Sequence, residues 1–186
     1  MQMIRYSEIR QGDIRQVVRY YEQYLNSGEY IRNDILEAFH ASGYVGYKAE
    51  DGGRIVGIVS GRQGIAFTYP HPEPGAELSG YAGCRSVYTV DCLLVLPEYR
   101  HTGIARNLIY CIRKWLKGIK TELAMAEIWV YPDASVPAAA AFAHLGRTVF
   151  HRVIPEFYKE NETYGIACPI CGKHCCCGAL IEMYLL

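Results

Sequence analysis

The chain has no excess of charge of either sign, since its 186 residues carry 19 Lys and Arg against 19 Asp and Glu. A protein that binds nucleic acid or an acidic membrane through charge presents a basic surface, so this balance argues against both partners. No window approaches the ~18 consecutive apolar residues of a membrane span. Residues 1–6 lack the basic and apolar regions of a signal peptide. We therefore expect a cytoplasmic protein with neither partner.

The chain also lacks a Pro-, Gly- or Ser-rich tract that would divide it, which predicts one domain over residues 1–186. Helical periodicity runs over residues 14–25 and from residues 33–34 to Gly43, and residues 44–50 and 54–60 alternate like a strand hairpin. Residues 70–83 are predicted to be an irregular loop. From residue 86 onward strands alternate with helices: strands at 86–95, 126–131, 148–153 and 179–186, and helices at 104–119 and 136–145. This order predicts an α/β (α+β) fold around a mixed sheet.

Residues 93–106 combine an apolar strand, a short turn and a helix that opens at Gly103-x-Ala105. The first backbone N–H groups of a helix have no intrahelical partner, and the helix dipole adds roughly half a positive charge there. A pyrophosphate fits such a site if no side chain blocks its approach. Gly103 and Ala105 leave this space, and Arg100, His101 and Arg106 add positive charge. The alternative is an ordinary turn between a strand and a helix.

The longer string Val95-x-Pro-Glu-Tyr-Arg-x-x-Gly103-x-Ala105 resembles motif A of the GNAT acetyltransferases. This resemblance implies a mixed, mostly antiparallel central sheet flanked by helices on both faces. It also implies acetyl-CoA as co-substrate and transfer of its acetyl group to a primary amine, on a small molecule or a protein, by direct attack in a ternary complex. The identity of the amine does not follow from the sequence, and a homodimer is left open.

The resemblance also implies which residues hold the co-substrate. The strand backbone at Leu93, Leu94 and Val95 would bind the pantetheine and the thioester carbonyl. The N–H groups that follow would wrap the pyrophosphate, from His101, Thr102, Gly103, Ile104, Ala105 and Arg106. A further family pattern, Asn-x-x-Ala-x-x-x-Tyr-x-x-Leu-Gly, is matched here over residues 135–146, where Ser135 replaces the Asn and Phe142 replaces the Tyr.

A base must take a proton from the amine before or during attack. Asp91 is the first candidate, because residues 89, 91, 93 and 95 share one face of the strand that leads to Val95. The alternative is a carboxylate satisfied by neighbouring N–H groups. Glu127, on the next strand, is the reserve candidate.

The acid is where the chain departs from the family pattern, because Phe142 has no proton to give. Three accounts are open: the CoA thiolate leaves unassisted, another residue supplies the proton, or the protein catalyses this reaction poorly. We favour the first, since a CoA thiol is acidic enough to leave as its anion at neutral pH.

Five of the eight cysteines lie within residues 168–177, and Cys168-Pro-Ile-Cys171-Gly has the shape of a zinc knuckle. Cys168, Cys171, His174 and Cys177 are three residues apart, so they form a candidate ligand set for a structural zinc. Cys175 or Cys176 is able to replace either of the last two. An iron–sulfur site and a metal-free thiol cluster are the alternatives.

Two other functions compete with an enzyme. One is a catalytically weak module that binds acyl-CoA, which Phe142 permits. The other is an interaction domain that uses the zinc knuckle to hold a partner.

Overall fold

The computed structural model describes residues 3–64, 72–83 and 85–186. These residues form seven strands and five helices, joined by three 3₁₀ turns. The strands are β1 (Arg5–Glu8), β2 (Tyr44–Asp51), β3 (Arg54–Gly64), β4 (Val87–Val95), β5 (Leu123–Val130), β6 (Arg147–Ile154) and β7 (Gly178–Leu185). The helices are α1 (Ile14–Tyr24), α2 (Glu29–His40), α3 (Pro72–Ala82), α4 (Ile104–Gly118) and α5 (Ala139–Phe142).

The strands form one sheet in the order β1-β2-β3-β4-β5-β7-β6. All neighbours are antiparallel except β4 and β5, which run parallel. A parallel pair needs a crossover connection, and α4 supplies it. The predicted mixed, mostly antiparallel sheet is therefore confirmed.

Helices cover both faces of the sheet centre. Residues 55–61 of β3 are all buried, although alternate side chains of a strand point to opposite faces. On one face, the hydroxyl of Tyr21 in α1 lies 3.2 Å from the Ser60 hydroxyl. On the other face, a Cβ placed on Gly57 would lie 2.9 Å from Ile104 of α4. Residues 57 and 60 differ in parity, so α1 and α4 lie on opposite faces, as expected for this fold class.

The apolar stripe of α4 fixes the position of its first turn. Leu108, Ile109, Ile112 and Leu116 are fully buried at helical spacing against the sheet. Burying such side chains contributes about 1.5–3 kcal/mol each. A connection of eight residues, 96–103, leads from the end of β4 to the first turn of this anchored helix. Among the described helices, none is both long and apolar enough to cross a membrane.

Five predicted elements differ from the structure by three residues or more. Strand β3 ends at Gly64, four residues after its predicted end, and β5 begins at Leu123, three residues before its predicted start. The other three are helical. Helix α2 begins at Glu29, four residues before the predicted start. The predicted loop at 70–83 contains helix α3. The prolines at 72 and 74 lie in its first turn, where a missing N–H removes no helix hydrogen bond. Residues 65–71 and Cys84 lie outside the described residues. The predicted helix at 136–145 is regular only at Ala139–Phe142, because i→i+3 bonds form at both ends, such as His144 N–H to Ala141 O at 3.1 Å.

Candidate active site

The sheet opens between β4 and β5. The two strands pair only from Val87 with Leu123 to Val90 with Ala126, although β4 continues to Val95 and β5 to Val130. The divergence coincides with a register shift against β3, where Val90 pairs with Gly61 and Cys92 pairs with Ser60. Asp91 is the extra residue of this bulge. Beyond it, the β5-facing edge of β4 has backbone groups available to a ligand.

A cavity of about 1570 Å³ fills this opening. Its wall contains nine of the ten residues that the sequence predicts for co-substrate binding: Leu93, Leu94, Val95, His101, Thr102, Gly103, Ile104, Ala105 and Arg106. The side chains of Leu94 and Ile104 are buried in the core, so neither side chain is available to a ligand.

The tenth residue, Ser135, lies outside this wall. Its hydroxyl donates to Asp133 Oδ1 at 2.6 Å, and its backbone N–H donates to the same oxygen at 2.9 Å. Ser135 therefore stabilises the exposed turn after β5, because both of its donors are bound there.

Two hydrogen bonds from side chains to backbone carbonyls fix the turn before α4, at the cavity wall. The Thr102 hydroxyl donates to Tyr99 O at 2.6 Å, and Arg100 Nε donates to Val95 O at 3.3 Å. Gly103 has φ 86°, a left-handed conformation that glycine adopts without strain. The first helical bond is from Asn107 N–H to Gly103 O at 3.1 Å. The preceding N–H groups have no intrahelical acceptor, so the turn forms an anion cradle.

Asp91 lies at the far end of the same cavity and forms an ion pair with Arg62 of β3. Arg62 Nε donates to Oδ2 at 3.1 Å and Nη2 to Oδ1 at 3.4 Å. Burial raises the pKa of the Asp91 carboxyl from 3.8 to about 6, Arg62 opposes this rise, and Asp34 on α2 adds to it. The carboxyl is therefore mostly ionised at neutral pH but close enough to neutrality to exchange a proton.

Sequence reasoning missed Arg62 as the partner of Asp91. The 22 residues between β3 and β4 hide the register that places Arg62 opposite Thr89.

Glu127 of β5 faces Asp91 across the opening and also lines the cavity. Tyr158, in the segment between β6 and β7, donates its hydroxyl to Glu127 Oε1 at 2.7 Å. The Tyr158 ring packs edge-on against Trp129, with 6.0 Å between ring centroids. This end of the cavity therefore carries three carboxyl groups, from Asp34, Asp91 and Glu127, and one guanidinium, from Arg62.

Phe142 is buried and lines the cavity from α5. The nearby His144 also lines it, and its Nδ1 lies 3.3 Å from the Tyr110 hydroxyl. His144 also packs against the Tyr110 ring, with 5.4 Å between ring centroids.

The cysteine-rich loop forms a separate cluster. The thiols of Cys168, Cys171, Cys175 and Cys177 all lie within 4.8 Å of one another. His174 lies outside the cluster: its side chain is 89% exposed, and Nδ1 is 2.8 Å from a Glu162 carboxylate oxygen. Three of the four predicted metal ligands therefore meet, with Cys175 in the place of His174. The seven cysteines that the structure describes are all free thiols.

Comparison with known proteins agrees with this geometry. The model of the acetyltransferase (GNAT) family matches residues 13–146. Two similar solved structures are of Arabidopsis thaliana NAA60: in complex with a bisubstrate analogue (TM-score 0.70, 19% identity, 98% of each chain covered) and with acetyl-CoA (TM-score 0.68, 17% identity, 99% of each chain covered). A third is the ribosomal-protein-S18-alanine N-acetyltransferase from Escherichia coli (TM-score 0.66, 12% identity, 98% of this chain and 94% of that chain covered). At these identities the likeness shows the fold. No curated protein sequence is significantly similar to the chain.

Proposed function

Because the chain belongs to the acetyltransferase (GNAT) family, we propose that it is an acetyl-CoA-dependent N-acetyltransferase that acts on a primary amine of a small molecule or protein. One observation carries this proposal: a single cavity joins the anion cradle at residues 101–106 to the carboxyl groups of Asp91 and Glu127. A phosphorylated co-substrate that enters at the cradle would extend along the free edge of β4 toward these carboxyl groups.

Two parts of the chain support acetyl-CoA as the co-substrate. The cradle offers N–H groups and a helix dipole to the pyrophosphate. The free edge at Leu93–Val95 offers N–H and C=O groups in strand geometry, which suits the amide groups of pantetheine. An N–H of this edge is also the group that would stabilise the oxyanion of the tetrahedral intermediate.

The end of the cavity that holds Asp34, Asp91, Glu127 and Arg62 is the proposed site of the acceptor amine and is called the acceptor end. It favours a cationic amine, since its three carboxyl groups outnumber its single guanidinium. The amine must lose a proton before its lone pair attacks the thioester carbonyl carbon. Asp91 is the proposed base, because its raised pKa near 6 suits proton transfer near neutral pH and the bulge places it on the cavity wall. Glu127 is the reserve. The C–N bond forms, the C–S bond breaks, and the sulfur leaves with the electron pair as CoA thiolate, without a proton from Phe142. The second proton, which the nitrogen loses as the tetrahedral intermediate collapses to the amide, passes to water in the open cavity.

One of the similar structures described above names an acceptor that this proposal covers. NAA60 was solved with a bisubstrate analogue, and the Escherichia coli enzyme acetylates an alanine of a ribosomal protein. An acceptor on a protein or peptide is therefore included beside small amines. A structural zinc ion in the cysteine-rich loop is part of the same proposal, supported by the thiol cluster.

The direct test is acetyl transfer from acetyl-CoA to a panel of amines, with the acetylated product measured by mass spectrometry. The panel holds diamines, polyamines, a lysine-containing peptide and peptides with a free α-amine. We expect at least one amine to be acetylated, and Asp91→Asn to reduce turnover roughly 10²-fold with a smaller change in CoA affinity. Glu127→Gln is the matched carboxyl-to-amide variant.

Normal turnover in Asp91→Asn would move the role of base to Glu127 or to water. A protein that binds CoA but acetylates nothing on the panel would support the second candidate function, an acyl-CoA-binding module. The observation that favours this candidate is Phe142, which takes the place of the family's tyrosine acid.

A further inference from the structure

The thiols of the cysteine-rich loop have the spacing of ligands around one ion. Cys177 Sγ lies 3.9 Å from Cys168 Sγ and 3.5 Å from Cys171 Sγ, and Cys175 completes a set within 4.8 Å. Sulfur atoms at the corners of a tetrahedron with zinc–sulfur bonds of 2.3 Å are about 3.8 Å apart. A cluster of several irons would hold its cysteines further apart, because irons and bridging sulfides lie between them. The spacing therefore fits a single tetrahedral ion.

The backbone around Cys168 forms the turn that such a site requires. Cys168 N–H donates to Gly172 O at 3.0 Å, and Gly172 N–H donates to Cys168 O at 2.9 Å. Within this turn, Ile170 N–H points at Cys168 Sγ from 3.4 Å. Backbone N–H groups directed at sulfur stabilise the thiolate form that binds metal. The turn thus aims two sulfurs and one donor toward the same point.

The other two candidate ligands of the loop lie on its surface. The side chain of His174 is exposed and paired with Glu162. Cys176 is also exposed, although its sulfur lies 3.6 Å from Cys171 Sγ. In contrast, Cys168, Cys175 and Cys177 are almost fully buried. Burial therefore separates three of the ligands from their neighbours in the sequence, and the fourth, the partly buried Cys171, is placed by its sulfur, 3.5 Å from Cys177 Sγ.

We propose that Cys168, Cys171, Cys175 and Cys177 bind one zinc ion, without His174. We further propose that this ion fixes the acceptor wall of the active site, the part of the cavity lining formed by Glu127, Trp129 and Tyr158. Four thiolates close the coordination shell, so the ion has no open position for water or substrate and acts structurally. Zinc suits this task because it has no redox chemistry and its geometry follows its ligands.

The thiol cluster is in direct contact with the acceptor wall. Trp129 and Tyr158 pack against its cysteines. Tyr158 N–H donates to Cys177 O at 3.4 Å, and the hydroxyl of the same residue donates to Glu127. Loss of the ion would release Tyr158 and with it the orientation of Glu127. This second part of the inference rests on the proposed function, because it treats Glu127 as part of an acceptor site.

The segment that leads into the cluster is also tied to the opposite side of the cavity. Ala167 N–H donates to Ser27 O at 3.0 Å, and Ser27 N–H donates to Ala167 O at 3.2 Å. Ser27 lies in the connection between α1 and α2, whose residues Leu25 and Asn26 line the cavity. The ion therefore anchors one end of a bridge that spans the acceptor end.

The first test is the metal content of protein purified without chelator, measured by elemental analysis. We expect about one zinc per chain in the wild type, and a loss of most of it in Cys168→Ser and Cys175→Ser. The matched controls, Cys176→Ser and His174→Ala, change neighbouring residues of the same loop and should keep the zinc. Retention in Cys175→Ser with loss in His174→Ala would overturn the ligand set.

Three results would overturn the site itself, and all three are measured on the wild type, so they do not depend on whether a variant folds. They are the absence of zinc, iron in its place, or a mass that shows disulfides among the four cysteines. Tetrahedral four-thiolate coordination is checked by replacing zinc with cobalt(II), which should give strong thiolate-to-cobalt charge-transfer bands and d–d bands of tetrahedral intensity. Octahedral d–d intensity would contradict it.

The structural role is tested on the same samples, independently of acetylation. Trp129 and Trp115 are the two tryptophans. In Trp115→Phe, the remaining fluorescence of Trp129 should be quenched by cobalt(II). Removal of zinc should speed amide hydrogen exchange at residues 155–177 and at Ser27, whose N–H donates to Ala167 O, and leave CoA affinity within about threefold, since the cradle lies on another element. Unchanged exchange after zinc loss would reject the anchoring role, and a loss of CoA affinity would place the ion's effect at the cradle.

Discussion

The raised pKa of Asp91 predicts how the stability of the protein depends on pH, and this can be measured without a substrate. Its pKa in the folded protein is raised from 3.8 to about 6, chiefly by burial. Between these values the folded state holds a proton that the unfolded state has lost, so the stabilisation is complete below about pH 4 and disappears as the pH rises through about 6. A difference of about two pKa units corresponds to roughly 3 kcal/mol. A side-chain amide does not titrate in this range, so the variant Asp91→Asn lacks this dependence.

The assay is urea unfolding of the wild type and Asp91→Asn between pH 4 and pH 8. We expect the free energy of unfolding of the variant, relative to the wild type, to rise by roughly 3 kcal/mol over this range, with the steepest change between the two pKa values. Other titrating groups are common to both proteins and cancel in the difference. Curves that stay parallel within about 0.5 kcal/mol would show that Asp91 is not a buried carboxyl with a raised pKa, and would remove the argument for it as the base.

Three further changes test other parts of the site. Arg62→Met removes the cation that lowers the pKa of Asp91, so the acidic limb of the pH–rate profile should move to higher pH; an unmoved limb would assign it to another group. Phe142→Tyr should change turnover by less than about threefold if the thiolate leaves unassisted, whereas a gain of tenfold or more would show that an acid is useful there. Gly61→Ala would place a Cβ 2.1 Å from Thr89 O and should lower the free energy of chemical unfolding by about 1–3 kcal/mol. The control Gly80→Ala, whose new Cβ would have no atom within 4 Å, should not lower it. Equal free energies of unfolding in the two variants would show that β3 and β4 can separate freely at the bulge.

The sequence predicted best those features that local chemistry decides. The order of strands and helices, and the cradle at residues 101–106, follow from periodicity and from unpaired N–H groups at a helix start. The structure places residues 101–106 on the cavity wall, and their binding of a pyrophosphate remains a prediction. Asp91 and Glu127 both line this cavity, on the parallel neighbours β4 and β5, and their roles as base and reserve remain predictions.

Contacts between distant segments could not be predicted in the same way. The choice of Cys175 over His174 depends on which side chain the loop buries, and the spacing of three residues favours neither. The contact of Tyr158 with Glu127 joins positions 31 residues apart. Helix α3 was missed because three prolines suggested a loop, although a proline in the first turn of a helix removes no hydrogen bond.

The central claim, a CoA site at the start of α4, is tested most directly by calorimetric titration with CoA. Ala105→Glu tests the site without backbone strain, because Ala105 lines the cradle within regular helix. A substitution at Gly103 would be less informative, because any side chain there would be strained at φ 86°. A carboxylate about 4 Å from one phosphate charge costs about 4 kcal/mol at an effective dielectric constant of 20, and water at the open end reduces this to about 2 kcal/mol. We predict that the wild type and the small-residue control Ala105→Ser bind one CoA per chain, and that Ala105→Glu binds at least about 30-fold more weakly. Equal CoA affinity in the wild type and a folded Ala105→Glu would contradict the account.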